Sequence, residues 1–276
     1  MRLRSLLFVP GDRDERFAKA AASGADAIIL DLEDSVVAAN KPAAREAIGA
    51  FLREAADGVS RWVRVNPLDS EFVADDLAVA ARADGVVLPK SVSGASVIEL
   101  ARRIGPDCPP ILPVASETPA AVFGLGDYAA VADRLAGLTW GAEDLPAVIG
   151  ASTARESDGS YTPPYEVVRA LTLFGAHAAG VPAIETVYPD FRDLDGVAAY
   201  ATRGARDGFT GMMAIHPAQV AAINAAFTPS AEAVAAARRV IAAFAANPDK
   251  GALQLDGRMI DAPHLKQAKA LVARIG

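Results

Sequence analysis

Charged and polar residues in this chain gather directly behind short apolar runs. Residues 27–30 lead into Asp31-Leu32-Glu33-Asp34, and the run 62–65 carries Arg64 within it and Asn66 just beyond. Residues 85–88 lead to Pro89-Lys90, 111–115 to Ser116-Glu117, 138–140 to Glu143-Asp144, and 211–214 to His216. Glu117 and Asp144 follow neighbouring runs. A hard divalent cation prefers oxygen ligands, and magnesium usually takes one or two carboxylates and leaves its other positions to water and substrate. On spacing alone, two ordinary surface carboxylates would look the same.

A guanidinium inside an apolar strand has to be paired or functional. The donor fork of Arg64 suits a substrate carboxylate; Asp31 or Glu33 would pair it structurally, and the two roles are compatible. A strand-end lysine raises Schiff-base chemistry, which needs a desolvated amine. The Pro89-Lys90 step instead suggests an ordinary ammonium facing the acidic cluster or an anion. His216 precedes Pro217, which reads as the first residue of a helix; the imidazole could orient substrate, act as a base or cap that helix. His177 reads as structural, and His264 shows no evident partner. Cys108 is the only cysteine, so no intrachain disulfide forms, and it reads as a small filler residue.

For these side chains to meet, the runs carrying them must end on one face. Eight runs qualify as strands, at residues 6–9, 27–30, 62–65, 85–88, 111–115, 138–140, 183–186 and 211–214. They lack polar alternation, as strands covered on both faces do. Helical patterns lie between them, including 41–55, 95–104, 165–179, 196–206 and 219–227. Strand–helix alternation implies parallel pairing, and eight units predict an α/β (β/α)₈ TIM barrel whose strand ends converge on the catalytic face. An open doubly wound sheet fits less well, because no Gly-rich phosphate fingerprint follows the first strand. Residues 1–228 are expected to form the catalytic barrel. Residues 229–276 are expected to form a C-terminal helical extension, with helices at 231–246 and about 265–274 and a turn-rich stretch between. It would serve as a lid, as an oligomerisation arm, or as plain packing on the barrel wall.

Composition bounds the partners. The 276 residues are 52% hydrophobic, enough for a sizeable core, and the net charge of −7 argues against a general nucleic-acid binder. The apolar run at residues 6–9 is too short for a signal peptide or membrane span. A cytoplasmic, soluble protein without membrane attachment is expected.

Eight motifs in order resemble the citrate lyase β-subunit-like family of the HpcH/HpaI aldolase superfamily. They are Arg4-Ser5-Leu6-Leu7-Phe8-Val9-Pro10-Gly11; Asp31-Leu32-Glu33-Asp34-Ser35-Val36 with Lys41 and Arg45; Val63-Arg64-Val65-Asn66; and Val87-Leu88-Pro89-Lys90. Then come Ser116-Glu117-Thr118; Gly141-Ala142-Glu143-Asp144-Leu145; Ala214-Ile215-His216-Pro217; and Asp256-Gly257-Arg258-Met259-Ile260-Asp261. The resemblance implies a TIM barrel with Mg²⁺ on Glu117 and Asp144 and a substrate carboxylate on Arg64. It also implies that Asp261 is an acid/base residue presented over the site of a neighbouring subunit in a trimer or hexamer. Two positions depart from the family pattern: Glu185 stands where Asp is more usual, and Met213 where Lys often precedes Ala-Ile-His-Pro. Both are placed to alter the thioester contacts.

The implied substrates are 3-hydroxy acyl-CoA thioesters of the citramalyl, malyl or citryl type. The expected reaction is magnesium-dependent carbon–carbon cleavage to a 2-oxo acid and acetyl-CoA. Arg64, Asp261 and Asp34 are the candidate catalytic residues, with Glu33 as an alternative proton shuttle. Arg64, Glu117, Asn66 and Lys90 are expected to bind substrate. The competing readings are a malyl- or citramalyl-CoA thioesterase using the same site, an aldolase that joins pyruvate enolate to free aldehydes, and a carrier-dependent citrate lyase subunit idle on its own.

Overall fold

The computed structural model describes residues 2–54 and 58–275. Eight parallel strands form one sheet: β1 (Ser5–Pro10), β2 (Ala27–Asp31), β3 (Ser60–Arg64), β4 (Gly85–Leu88), β5 (Ile111–Pro113), β6 (Leu138–Thr139), β7 (Ala183–Glu185) and β8 (Gly211–Ala214). The intervening α-helices are α1 (Phe17–Ala21), α2 (Lys41–Phe51), α3 (Val73–Ala80), α4 (Gly94–Ile104), α5 (Pro119–Phe123), α6 (Asp144–Ile149), α7 (Pro163–Ala179) and α8 (Leu194–Asp207), with α9 (Val220–Ala226) after β8. The strand order is β5-β4-β3-β2-β1-β8-β7-β6. The ring closes where Ala136 N–H donates to Ile111 O (2.9 Å) and Ala115 N–H to Thr139 O (2.8 Å), with Val114 beside Thr139 in parallel register. This is the expected (β/α)₈ TIM barrel.

Burial explains why the strands were legible. Every residue of β2, β4 and β8 is buried, so their sequences run apolar without alternation. Leu6, Ile29, Trp62, Val87, Leu112, Ile184 and Met213 fill the interior. Trp62 fits because β4 begins with glycine: a Cβ on Gly85 would lie 2.5 Å from the indole ring. Boundaries moved by a residue or two. Arg64 is the last residue of β3, and β6 stops at Thr139, so Trp140 already belongs to the following loop. The helix expected at 41–55 ends at Phe51, and Ala55 lies outside the described residues.

The chain divides into two compact units, Met1–Asn224 and Ala225–Gly276. In the second, α10 (Ala231–Ala245) is capped by the Ser230 hydroxyl, which accepts from Ala233 N–H. Pro217–Ala245 is apolar and long enough to pass for a membrane span by composition. Its backbone leaves the helix at 227–230, so two helices occupy it. The stretch expected to be only turn-rich forms an antiparallel hairpin, β9 (Ala252–Leu255) and β10 (Arg258–Asp261). Its two-residue loop is Asp256-Gly257, both at positive φ (51° and 77°), the conformation that Asp-Gly favours between strands. Helix α11 (Ala262–Ala273) follows and packs on α10.

Candidate active site

The C-terminal strand ends of the barrel surround a cavity of about 340 Å³. Arg64, Asp34, Glu117 and Asp144 line it, together with Asp31 and Glu143, so these predicted residues are brought together. Among the described lining residues the acids number five and Arg64 is the one cation.

Arg64 is held rigidly from the end of β3. Its Nε and Nη2 donate to the two oxygens of Asp31, each at 2.7 Å. Its Nη1 lies 2.8 Å from Glu33 Oε2, and its guanidinium sits 4.8 Å above the Phe8 ring. Burial would raise the Asp31 carboxyl, but the Arg64 charge and hydrogen bonds, with donors from Ser35 and the Glu33 N–H, hold it below its ordinary value. The structural pairing expected for Arg64 therefore exists, and it still leaves N–H groups on Nη1 and Nη2 for a ligand. Glu33 is different. Burial pushes its carboxyl upward, and the Asp34 and Asp31 charges add to this against Arg64 and Lys90. Its Oε2 meets the Arg64 guanidinium as an ion pair, without a well-aligned hydrogen bond.

Lys90 takes a left-handed backbone, φ 50°, which turns its N–H onto Glu117 Oε2. Its ammonium lies 3.2 Å from Glu33 Oε1, 3.7 Å from Asp144 Oδ1 and 4.0 Å from Asp34 Oδ1. Desolvation would lower its pKa, but the Glu33, Asp34 and Asp144 charges raise it. That is the reverse of what a Schiff-base amine needs, and it agrees with an ordinary ammonium.

Glu117 is buried, and burial is the main reason its carboxyl is pushed up to about 8. The Asp144 and Glu33 charges add to the shift, while the Lys90 N–H and Arg64 oppose it. Gly141 makes room for it, since a Cβ there would lie 2.5 Å from Glu117 Cγ. Asp144, at the start of α6, is partly exposed to the cavity. A buried carboxylate short of positive charge, beside a second one open to ligand, fits a hard divalent cation. Among the described residues no group of three or more His, Cys, Asp or Glu is arranged to hold a metal, so Glu117 and Asp144 would leave most positions to water and substrate.

Other expected residues lie elsewhere. Asn66 is buried behind the rim and does not line the cavity. Its amide donates to Leu32 O (3.0 Å) and Asp76 Oδ2 (2.7 Å) and accepts from Lys41 Nζ (2.8 Å). Lys41 also donates to the Leu32 and Glu33 carbonyls, so this pair fixes the acidic loop after β2. His216 caps the turn behind it, with Nδ1 accepting from Ala218 N–H at 3.1 Å, and stacks on Phe191. Asp261 belongs to the second unit, at the N-terminus of α11. There it pairs with His264 Nδ1 at 2.6 Å, which supplies the partner that His264 had lacked.

The sequence reading had singled out Met213 in the cavity wall but missed the rest of it, Phe8, Val114, Trp140, Thr186 and Val187. It also missed the role of Glu185, which is fully buried and outside the cavity. Glu185 accepts from Trp140 Nε1 (2.5 Å), Tyr200 OH (2.9 Å), the Thr186 N–H (3.0 Å) and Arg169 Nε (2.6 Å). Its oxygens are satisfied within the protein, so it touches no ligand directly and instead fixes Trp140 and Thr186 in the wall.

Comparison with known proteins places this site in context. Residues 4–217 match the profile of HpcH/HpaI aldolase/citrate lyase. A citrate lyase subunit beta-like protein of Mycobacterium tuberculosis is 41% identical over 98% of this chain and 94% of its own length. A (3S)-malyl-CoA thioesterase of Cereibacter sphaeroides is 36% identical, with coverage of 98% and 94%. An L-malyl-CoA/beta-methylmalyl-CoA lyase of the same organism is 34% identical, with coverage of 98% and 93%. The crystal structure of CitE from Mycobacterium tuberculosis with magnesium, acetoacetate and coenzyme A superimposes with a TM-score of 0.84 at 38% identity, covering 99% of this chain and 98% of that one. Barrel, rim and sequence agree, and the chain belongs to the HpcH/HpaI aldolase/citrate lyase family.

Proposed function

We propose that this protein is a magnesium-dependent carbon–carbon lyase that cleaves a 3-hydroxy acyl-CoA thioester into a 2-oxo acid and acetyl-CoA. The observation that carries the reading is the pairing of buried Glu117 with cavity-facing Asp144 beside a fixed Arg64. Lyases among the relatives, and the magnesium and coenzyme A held by the Mycobacterium tuberculosis protein, support it. Glu117 and Asp144 would hold Mg²⁺, which when bound supplies Lewis-acid polarisation of the substrate's hydroxyl and carboxylate oxygens.

The chain's own groups do the rest. Arg64, fixed by Asp31, presents its remaining N–H groups to the substrate carboxylate and orients the carbon that bears the hydroxyl. Asp261, supplied by a neighbouring subunit in a trimer or hexamer, takes the hydroxyl proton on a carboxylate oxygen. The bond to the thioester α-carbon then breaks. Its electron pair passes into the thioester enolate, and the hydroxyl carbon becomes the keto carbon of the 2-oxo acid. The proton taken by Asp261 passes through water to Asp34, exposed at the rim, which delivers it to the α-carbon, giving acetyl-CoA. Lys90 keeps the acidic loop and Asp144 in place through its ammonium.

The test is product analysis with citramalyl-, malyl- and citryl-CoA, with and without Mg²⁺. The reading requires free 2-oxo acid and acetyl-CoA, formed only with the metal and lost in Glu117→Ala and Asp144→Ala. Wild-type lyase activity in either variant would overturn the metal assignment. The thioesterase relative at 36% identity supports a second reading, in which water attacks the thioester carbonyl. It predicts intact hydroxy acid and free CoA. Turnover of free CoA thioesters in either form would exclude a subunit that works only with a carrier.

A further inference from the structure

The floor of the cavity is apolar. Phe8, Val114, Val187 and Met213 each line the cavity and also pack into or against the barrel core. Met213 and Val114 are buried, at 3% and 5% exposure, and Met213 Sδ accepts only a long contact from Thr139 Oγ1 at 3.8 Å. No donor or cation comes from these four side chains. The cations at the rim are already engaged, Arg64 by Asp31 and Glu33, and Lys90 by Glu33, Asp34 and Asp144. The remaining charge around the cavity is acidic.

We propose that Phe8, Val114, Val187 and Met213 form a selectivity floor for the side group of the 2-oxo acid. The floor favours a small apolar substituent, as in pyruvate, over a carboxymethyl group, as in oxaloacetate. This rests on the reading that a 2-oxo acid is held at Glu117, Asp144 and Arg64. The substrate's first carboxylate uses the donors left on Arg64. A second carboxylate would be desolvated against Val114 and Met213 with no counter-charge, which is unfavourable. A methyl group there loses only water.

The test is calorimetric titration of the protein with pyruvate and with freshly dissolved oxaloacetate in saturating Mg²⁺. Wild type is expected to bind pyruvate about 10- to 100-fold more tightly, the range over which pocket contacts discriminate. Met213→Lys places an ammonium on the floor and should shrink that ratio at least about tenfold. Because a buried lysine can unfold the barrel, Val187→Lys serves as the second variant. Val187 is only half-buried, so its ammonium stays partly hydrated, and the ratio should fall in the same direction. Equal or tighter binding of oxaloacetate by wild type would overturn the proposal, as would an unchanged ratio in a folded Val187→Lys protein. The lyase reading fails separately. Selective pyruvate binding without any thioester cleavage would refute the lyase and keep the floor. Cleavage of citryl-CoA as fast as citramalyl-CoA would refute the floor and keep the lyase.

Discussion

Replacing Gly141 by alanine tests the proposed metal pair, Glu117 and Asp144, without touching either carboxylate. A Cβ at this position would stand 2.5 Å from Glu117 Cγ and 3.3 Å from Cδ and Oε1. To reach ordinary contact, one side must give way by about 1 Å. Glu117 has little room to retreat, since it is buried and its Oε2 is tied to the Lys90 N–H. The alternative is movement of the loop that joins β6 to α6, and that loop leads directly into Asp144. Either way the spacing of the two carboxylates changes. A misplacement of about 1 Å can cost on the order of 100-fold in rate, and disturbed support around a metal costs about 10- to 100-fold in affinity. Overpacking should also lower stability by about 1–3 kcal/mol. The assay is Mg²⁺ titration by calorimetry, with kcat/KM for the cleaved thioester and a urea melt alongside. Gly126→Ala is the matched control, because a Cβ there would meet nothing within 4 Å. If Gly141→Ala bound Mg²⁺ and turned over like the control, the assigned pair would not be the metal site.

Three further outcomes follow from the same geometry. Glu117, pushed up to about 8 by burial, is mostly protonated at pH 7 and must lose its proton to bind a cation. Mg²⁺ affinity should therefore rise nearly tenfold from pH 6 to 7, flatten above about 8, and release close to one proton at pH 7. Calorimetry in buffers of different ionisation enthalpy reads that proton, and no proton release at pH 7 would refute the assignment. Glu185→Gln should cost about 3 kcal/mol in urea unfolding, because the buried Arg169 loses the charge it pairs with at 2.6 Å; a loss below about 1 kcal/mol would mean that Asp207, also on Arg169 at 2.8 Å, suffices. Asp261→Asn subunits mixed with Arg64→Ala subunits should regain activity that neither has alone if sites are shared between chains. No recovery in a verified mixed oligomer would count against Asp261 acting across the interface.

The barrel was readable because β2, β4 and β8 are buried on both faces, so each had to be an uninterrupted apolar run. The rim was readable because charge cannot stay inside such runs and appears where they end, as at Asp31 and Glu117. The hairpin was missed although Asp256-Gly257 carries its signal, because Ala252–Leu255 is only four residues long, too short for its alternation to stand out. The Glu185 cluster was not legible: its partners Trp140, Arg169 and Tyr200 come from separate parts of the chain, and only the closed barrel joins them. The cavity walls were hidden for another reason. A residue such as Val114 that serves both core and cavity has the sequence appearance of core.

The two departures from the family pattern now separate by mechanism. Both were expected to alter thioester contacts. Glu185 lies outside the cavity with its oxygens satisfied by four donors, so any effect on ligand has to pass through Trp140 and Thr186. Met213 faces the cavity itself, and its thioether offers no charge. A cavity whose described lining residues include five acids and one engaged arginine needs cationic charge before it can hold any anion. The Glu117–Asp144 pair can recruit that charge at the rim, while the floor cannot. On the proposed reading, the first carboxylate of a substrate is governed by Glu117, Asp144 and Arg64, and whatever hangs from the next carbon by Met213 and its apolar neighbours. In that proposal, charge placement divides the cavity into a part that binds every member of the substrate class and a part that chooses among them.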